Sequence, residues 1–259
     1  MGNRARILSR RADGWPAAAA AVAAVATMSL LLAGCAAGSA TPTTQRETIS
    51  RALVVSGGLH VVVPFTAGGC ARGGSALVAS ETSSTVTLVL WQIVSGGVCP
   101  ADIAFGTAAV TLHHPLYGRS LVDGTTGRRI PYFDGRNLLP VTYLPPGYRF
   151  SAYGYVAAAT FSAWEREYTT AGQATAPADV AQVPGSVTGY PSWPLTSAVT
   201  VNGRRATMEM LTNNGQTYGR AISWRAAGYT LVVYTAVVQA GQQLLPAAEL
   251  MRIASGLRS

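Results

Sequence analysis

The stretch that decides the fold is residues 198–237, AVTVNGRRATMEMLTNNGQTYGRAISWRAAGYTLVVYTAV. It consists of runs in which β-branched or aromatic residues recur with polar ones, separated by short turn signals, which is typical of antiparallel strands. Asn202-Gly203 predicts a hairpin between strands at 198–201 and 205–211, because both turn residues tolerate a positive φ.

A second hairpin and a terminal helix complete this part of the chain. Ala227-Gly228 predicts the turn between strands at 218–225 and 229–237. A helix is then predicted at 245–257, because Leu250, Ile253, Ala254 and Leu257 fall on one face at spacings of three and four. A helix of this length is too short to be stable alone, so we expect it to dock on the sheet.

Upstream of this sheet, Pro146-Gly147 predicts a type II turn, since Gly accepts the positive φ of the third turn position. Strands are predicted at 150–161 and 164–168. The polar, Ala- and Pro-containing segment 171–184 is predicted to be a surface loop. We therefore expect residues 139–259 to form one α+β domain.

Residues 50–138 are predicted to form a separate β domain, with strands at 59–65, 75–81, 85–91 and 108–112. The expected fold class is β-rich α+β: an antiparallel sheet or sandwich domain, followed by an antiparallel sheet domain with a C-terminal helix packed on it. Besides Cys35 in the N-terminal export signal described below, the chain has two Cys residues, Cys70 and Cys99. An even number of remaining Cys residues in an exported protein favours a disulfide between them. A two-Cys metal site is the alternative, but it lacks further ligands nearby.

The N-terminus has the pattern of a cleaved export signal. A positive segment containing Arg10 and Arg11 precedes an apolar run at 16–32, which ends in Leu32-Ala33-Gly34-Cys35. This predicts a lipoprotein signal peptide over residues 1–34 and acylation of Cys35. A diacylglyceryl group would anchor the mature chain to the extracytoplasmic face of the cell membrane. Residues 35–49 have the small, polar composition of a flexible tether.

Two alternatives to this reading of the leader stay open. The apolar run could be retained as a membrane helix, or the chain could be secreted without a lipid, although the Cys directly after Leu-Ala-Gly favours the lipoprotein. Arg10-Arg11 also suggests twin-arginine export, but Asp13 and Gly14 stand where apolar residues are expected, so the general secretory route is preferred.

Composition argues against nucleic acid as a partner. All 19 basic residues are Arg, against 11 acidic residues, which gives a formal net charge of +8. Once the leader is removed, the net charge falls to about +5. The Arg residues are scattered and form no basic stripe with interleaved aromatics, so nucleic-acid binding is not expected.

Two segments resemble known exported proteins. The segment His114–Arg128, with Cys70 and Cys99 upstream, resembles a "PLxxRxLxDxxTGR" pattern of exported proteins from high-GC Gram-positive bacteria. The second half, from Tyr143-Leu144-Pro145-Pro146-Gly147-Tyr148 to the terminal helix, resembles a domain of unknown function in the extracytoplasmic parts of anti-sigma regulators and lipoproteins. Its Leu-Pro-Pro-Gly-Tyr turn is also similar to that of lipoprotein-carrier-like sensors of lipid or peptide. These resemblances imply binding or sensing and bring no catalytic residues.

Motifs for catalysis are absent from the sequence: it has no Gly-x-Ser-x-Gly elbow, no His-Glu-x-x-His and no phosphate loop. Glu165 and Glu167 fall on one face of a predicted strand, so a carboxylate pair can form there, but an exposed sheet face is the preferred interpretation. His113 and His114 are adjacent and point to opposite faces, so surface positions are preferred over a metal site, and His60 is far away in sequence.

Asp123 is expected to stabilise a turn with Arg119 or Arg128 rather than to act in catalysis. No metal and no cofactor are predicted.

The sequence therefore predicts a non-enzymatic, membrane-anchored lipoprotein that binds a partner or senses an envelope component. A carrier or sensor of an apolar ligand, lipid or peptide, in the C-terminal domain is the alternative, and a cell-envelope hydrolase is the lesser one. The oligomeric state is not predicted. A ligand groove in the C-terminal domain would be lined by aromatic residues, namely Trp164, Tyr168, Tyr190, Trp193, Tyr218 and Trp224.

Overall fold

The computed structural model describes residues 43–68, 74–94, 103–157, 161–187, 190 and 193–257. Within these residues it is built almost entirely of β-strands, with one α-helix near the C-terminus, which confirms the predicted β-rich α+β class. The first eight strands are β1 (Thr43–Glu47), β2 (Ala52–Val55), β3 (His60–Gly68), β4 (Ser75–Glu81), β5 (Thr85–Val94), β6 (Ile103–Thr111), β7 (Ser120–Asp123) and β8 (Tyr132–Asp134). The later elements are β9 (Tyr148–Ala157), β10 (Ser162–Thr170), β11 (Ala178–Pro184), β12 (Leu195–Val201), β13 (Arg204–Asn213), β14 (Gln216–Ala226), β15 (Tyr229–Ala236) and α1 (Ala247–Ser255).

The first eight strands form two four-stranded sheets. In sheet 1, β5 pairs antiparallel with β4 and β1 and parallel with β7. Sheet 2 has the order β6-β3-β2-β8. Alternate side chains of both sheets, such as Val63 of β3 and Leu88 of β5, meet in one buried core. The strict alternation along β5 is what places one face of the strand in this core.

The last seven strands form one antiparallel sheet, sheet 3, in the order β12-β13-β14-β15-β11-β10-β9. The two predicted hairpins are confirmed: Asn202 and Gly203 have φ values of 49° and 76°, and Ala227 and Gly228 have 51° and 80°. These values match the mirror-image turns whose twist suits a hairpin. Asn214-Gly215 makes a third turn of this kind between β13 and β14.

Helix α1 covers one face of sheet 3, as predicted. Leu250, Ile253 and Leu257 are buried between the helix and the sheet. Arg220 of β14 adds a hydrogen bond from Nη1 to the carbonyl of Leu245, 3.0 Å away. This layer is densely filled, and truncating one of its Leu or Ile side chains to Ala would cost about 2–5 kcal/mol.

The predicted loop at 171–184 is wrong over its second half. Residues Ala178–Pro184 form β11, which pairs with β10 on one side and β15 on the other. All its residues except Pro184 are buried. The strand is covered on both faces, so its small Ala and Val side chains fit, and tertiary packing overrides the polar and Ala-rich composition.

The predicted tether at 35–49 is wrong from residue 43 onwards. Thr43–Glu47 pairs with the end of β5 as β1, and Ile49 is buried in the core of sheets 1 and 2. The β-branched Thr residues that suggested a polar tether also suit an edge strand. Strands β2, β7 and β8 lie where no strand is predicted.

The outer face of sheet 2 packs against β9 and β10 of sheet 3. Leu53, Val55 and Val62 of sheet 2 form a buried cluster with Trp164 of β10. Thr107 of β6 donates its hydroxyl to the carbonyl of Tyr153 in β9 at 2.8 Å. This contact brings the end of sheet 2 beside the outermost strand of sheet 3.

Candidate ligand-binding site

Three carboxylates of β10 and β11 lie on the face of sheet 3 opposite α1. Glu165 of β10 stands across from Gly154 of β9 and Ala181 of β11. Glu167, two residues further along β10, stands across from Ala152 and Asp179. Successive side chains of a strand alternate between faces, so Glu165, Glu167 and Asp179 share one face.

The sequence predicts an exposed sheet face for Glu165, and this prediction is wrong because the side chain is buried. Only 4% of its surface is exposed. Its Oε1 accepts hydrogen bonds from the hydroxyls of Tyr190 and Tyr234, each at 2.7 Å. Burial, together with the charge of Glu165 beside it, raises the pKa of the Tyr190 phenol, so this hydroxyl stays protonated and donates. The carboxylate is held by two charge-assisted hydrogen bonds.

Tyr190 and Trp193, which precede β12, pack on the same face of the sheet. The indole of Trp193 lies on Gly219, where an added Cβ would come within 2.8 Å of the ring. The backbone amide of Trp193 donates to Oε2 of Glu209 at 3.1 Å. Burial raises the pKa of Glu209, the fourth carboxylate on this face.

A cavity of about 570 Å³ runs along β9. Residues 149–157 line it, together with Glu165, Glu167 and Asp179. Phe150 of β9 is 46% exposed, and Phe105 of β6, on the far side of the cavity, is 58% exposed. The site therefore combines buried carboxylates with exposed aromatic surface, and it lies at the open edge of sheet 3.

The six aromatic residues predicted to line one groove do not lie together. Trp164 belongs to the cluster between sheets 2 and 3, while Tyr168 and Trp224 belong to the core under α1. Tyr190 and Trp193 pack on the opposite face of sheet 3. Tyr218 stands at the register shift between β13 and β14, outside these clusters, and donates its hydroxyl to Gln216. The prediction of a single aromatic groove is wrong, because the sheet order and the alternation of side chains place these residues in separate clusters on different faces.

The three His residues lie in sheets 1 and 2 and their connections. His113 is exposed, and its Nδ1 lies 3.0 Å from Oε1 of Glu81. His114 is also exposed, and the ring of His60 contacts the hydroxyl of Thr111. Over the described residues, no cluster of three or more His, Cys, Asp or Glu side chains is arranged to hold a metal ion.

Asp123 stabilises a turn, but with different partners from those predicted. It is fully buried, and its carboxylate accepts hydrogen bonds from the amide of Thr125 and the hydroxyl of Thr126. Arg119 instead pairs with Glu81, with Nη1 and Oε2 2.8 Å apart. An Asx turn satisfies the buried carboxylate, so no Arg is needed there.

The residues of the predicted anchor and disulfide lie outside the described residues. This applies to Cys35, Cys70 and Cys99, so acylation and the bridge stay predictions. In the part of the chain that the structure describes, no helix is long and apolar enough to cross a bilayer.

Comparisons with protein-family models, with curated proteins and with solved structures gave no match to this chain.

The alternation of side chains along the predicted strand β10 was enough to place Glu165 and Glu167 on one face. Asp179 was missed because its strand was predicted to be a loop, and Phe105 because the strand containing it was predicted to begin only at residue 108. The pairing of Gly154 with Glu165 depends on register, which the local sequence does not reveal.

Proposed function

We propose that this chain is a non-enzymatic lipoprotein, anchored through acylated Cys35 at the extracytoplasmic face of the membrane, that binds an envelope partner in the cavity along β9. One observation supports this above the others: exposed Phe105 and Phe150 face a cavity that also holds carboxylates. Large exposed apolar side chains beside fixed polar groups are typical of binding surfaces.

The size and position of the cavity support binding of part of a larger partner. Its volume of about 570 Å³ lies in the range of specific ligand sites. It lies at an open sheet edge, which leaves room for a ligand that continues beyond it. An anchored protein with such a site would hold its partner at the membrane surface.

Anchoring is tested by Cys35→Ala in the full chain. We expect the variant to move from the membrane fraction to the soluble fraction, because stable attachment needs the acyl chains. Retention of Cys35→Ala in the membrane would favour an uncleaved helix instead.

Binding is tested by hydrogen exchange, followed by mass spectrometry, on the mature chain. Amides of 148–157 should exchange more slowly in isolated cell envelopes than in detergent, because a bound partner covers them. Phe105→Ser should abolish this protection, whereas Val78→Ser, at an exposed apolar position of β4 that does not line the cavity, should keep it. Equal exchange in envelopes and detergent would contradict the proposal.

The second candidate is a carrier of an apolar ligand, which the exposure of Phe105 and Phe150 also favours. Native mass spectrometry of protein extracted from cells separates the two, because a carrier should retain a lipid or small apolar molecule. The lesser candidate is a hydrolase that uses Glu165 or Glu167. Turnover of wall-derived or ester substrates that is lost in Glu167→Gln would support it and contradict the non-enzymatic role.

A further inference from the structure

We propose that the occupant of the cavity is an extended peptide in which basic and apolar residues alternate, paired with the outer edge of β9 as an eighth strand of sheet 3. This inference rests on the proposed function, since it takes the cavity along β9 as the binding site. Strand addition at an open sheet edge gives affinity through main-chain hydrogen bonds and specificity through alternate side chains.

Apart from the contact of Thr107 with Tyr153, the described residues leave the outer edge of β9 without a hydrogen-bonding partner. Among the strands that the structure describes, β9 is the last of sheet 3 and pairs with β10 alone. Across the described residues, no backbone hydrogen bond joins 149–157 to a segment other than β10.

Thr107 indicates which backbone groups face outward. Its hydroxyl donates to the carbonyl of Tyr153 from β6, and we therefore assign this carbonyl to the outer edge of β9. In an antiparallel pair the outward groups recur at every second residue, which places those of Tyr155 and Ala157 on the same edge. An added strand would pair there and would take over the Tyr153 carbonyl from Thr107.

A register shift limits the length of the added strand. The pairing of β9 with β10 changes between Glu167 and Tyr168, which leaves Ser151 as the extra residue on β9. A bulge disrupts the regular edge and bends the strand. Regular pairing is therefore confined to 153–157, which favours a short peptide segment.

One face of β9 gives access to the carboxylates. The residues of β9 that stand beside Glu165 and Glu167 are Gly154 and Ala152, which have the two smallest side chains. A strand added to β9 would lie about 10 Å from β10, since neighbouring strands are about 4.8 Å apart. A long Lys or Arg side chain can cross β9 above Gly154 and Ala152 and reach the carboxylates.

The other face of β9 is aromatic. Phe150, Tyr153 and Tyr155 lie on it, and the ring centroids of Phe150 and Tyr153 are 4.7 Å apart. Phe105 of β6 lies across the cavity. Every second side chain of an added strand would point to this face, so these positions should be apolar.

Charge favours a basic peptide. Of the described residues, those that line the cavity and carry a charge are three acids, Glu165, Glu167 and Asp179, and one base, Arg149. The mature chain is basic, with a net charge of about +5, so this local excess of acid is opposite in sign to the charge of the protein. Opposite charge in a concave site attracts and orients a ligand.

Binding of synthetic peptides to the mature chain, purified in detergent, tests the inference. Fluorescence anisotropy is measured with labelled hexapeptides: one alternates Lys and Val, one has the same composition in two blocks, and one alternates Glu and Val. The alternating Lys peptide should bind about tenfold or more tightly than either control, and N-methylation of its outward amides should abolish binding. Equal binding of the alternating and block peptides would overturn strand addition.

A matched pair of variants tests whether the peptide binds in the cavity along β9. Glu167→Gln should weaken binding of the alternating Lys peptide about tenfold, with a weaker dependence on salt. Glu47→Gln makes the same change on β1, outside the cavity, and should leave binding unchanged. Equal affinity of the two variants for the peptide would overturn the proposal that the peptide binds beside Glu167.

The two proposals fail in different ways. Protection of 148–157 in envelopes without binding of the alternating Lys peptide would reject the peptide class and leave the binding function standing. Absence of both protection and peptide binding would reject the binding function itself.

Discussion

Glu165 and Gly154 stand opposite each other in the pairing of β10 with β9, and a Cβ at residue 154 would lie 3.2 Å from Oε2 of Glu165. The missing side chain leaves room for a buried carboxylate beside the open edge of the sheet. This relationship connects the stability of the fold with access to the candidate site.

Gly154→Val should therefore destabilise the protein by about 1–3 kcal/mol, because the added methyl groups overpack against Glu165. Urea unfolding of the variant measures the change. Gly68→Val is the matched control, since a Cβ there meets no atom of the described residues within 4 Å. A loss of stability no larger than that of the control would show that the carboxylate moves aside freely.

Tyr234→Phe should destabilise the protein by about 1–3 kcal/mol, because it removes a donor from the buried carboxylate of Glu165. Tyr218→Phe removes a hydroxyl whose one hydrogen bond to the described residues is with the exposed side chain of Gln216, and should change stability by less than about 0.5 kcal/mol. Thermal unfolding of both variants provides the comparison, and similar losses would argue against a structural role for the Glu165 contact.

Glu81 should make stability depend on pH in the acid range. Hydrogen bonds from the backbone amide of His113, and then from Arg119, the His113 ring and the His114 amide, lower the pKa of Glu81 to about 2 from the usual 4.5. Because the pKa is lower in the folded state, the stabilisation is complete above pH 4.5 and is lost as the pH falls towards 2. The difference in melting temperature between wild type and Glu81→Gln should therefore be largest near neutral pH and shrink below pH 4.5; a difference that does not change with pH would be evidence against this pairing.

Cys70 and Cys99 should be joined in the mature protein. Non-reducing peptide mapping should recover the two Cys-containing peptides as one species, since an exported chain with two remaining Cys favours a bridge. In the chain-entropy model, a loop of this size stabilises the fold by roughly 3–4 kcal/mol. Free thiols at both residues would refute the bridge.

The local sequence was sufficient to predict those elements that are fixed by residues close together in the chain. The turns at Asn202-Gly203 and Ala227-Gly228 and the apolar face of α1 follow from backbone preference and helical spacing, and the structure confirms them. Strand β11 could not be predicted in this way. Its residues are strand-forming only because β10, β15 and both covered faces surround them.

The sequence by itself determined that Glu165 and Glu167 share a face, because alternation along one strand is a local property. Only the tertiary structure decided that this face is partly covered, that Asp179 joins it, and that Gly154 leaves it open towards the edge. Likewise, each aromatic residue was visible in the sequence, but its side of the sheet was not. Register and sheet order are set by contacts between residues far apart in the chain, so the site exists only once β9, β10 and β11 have paired.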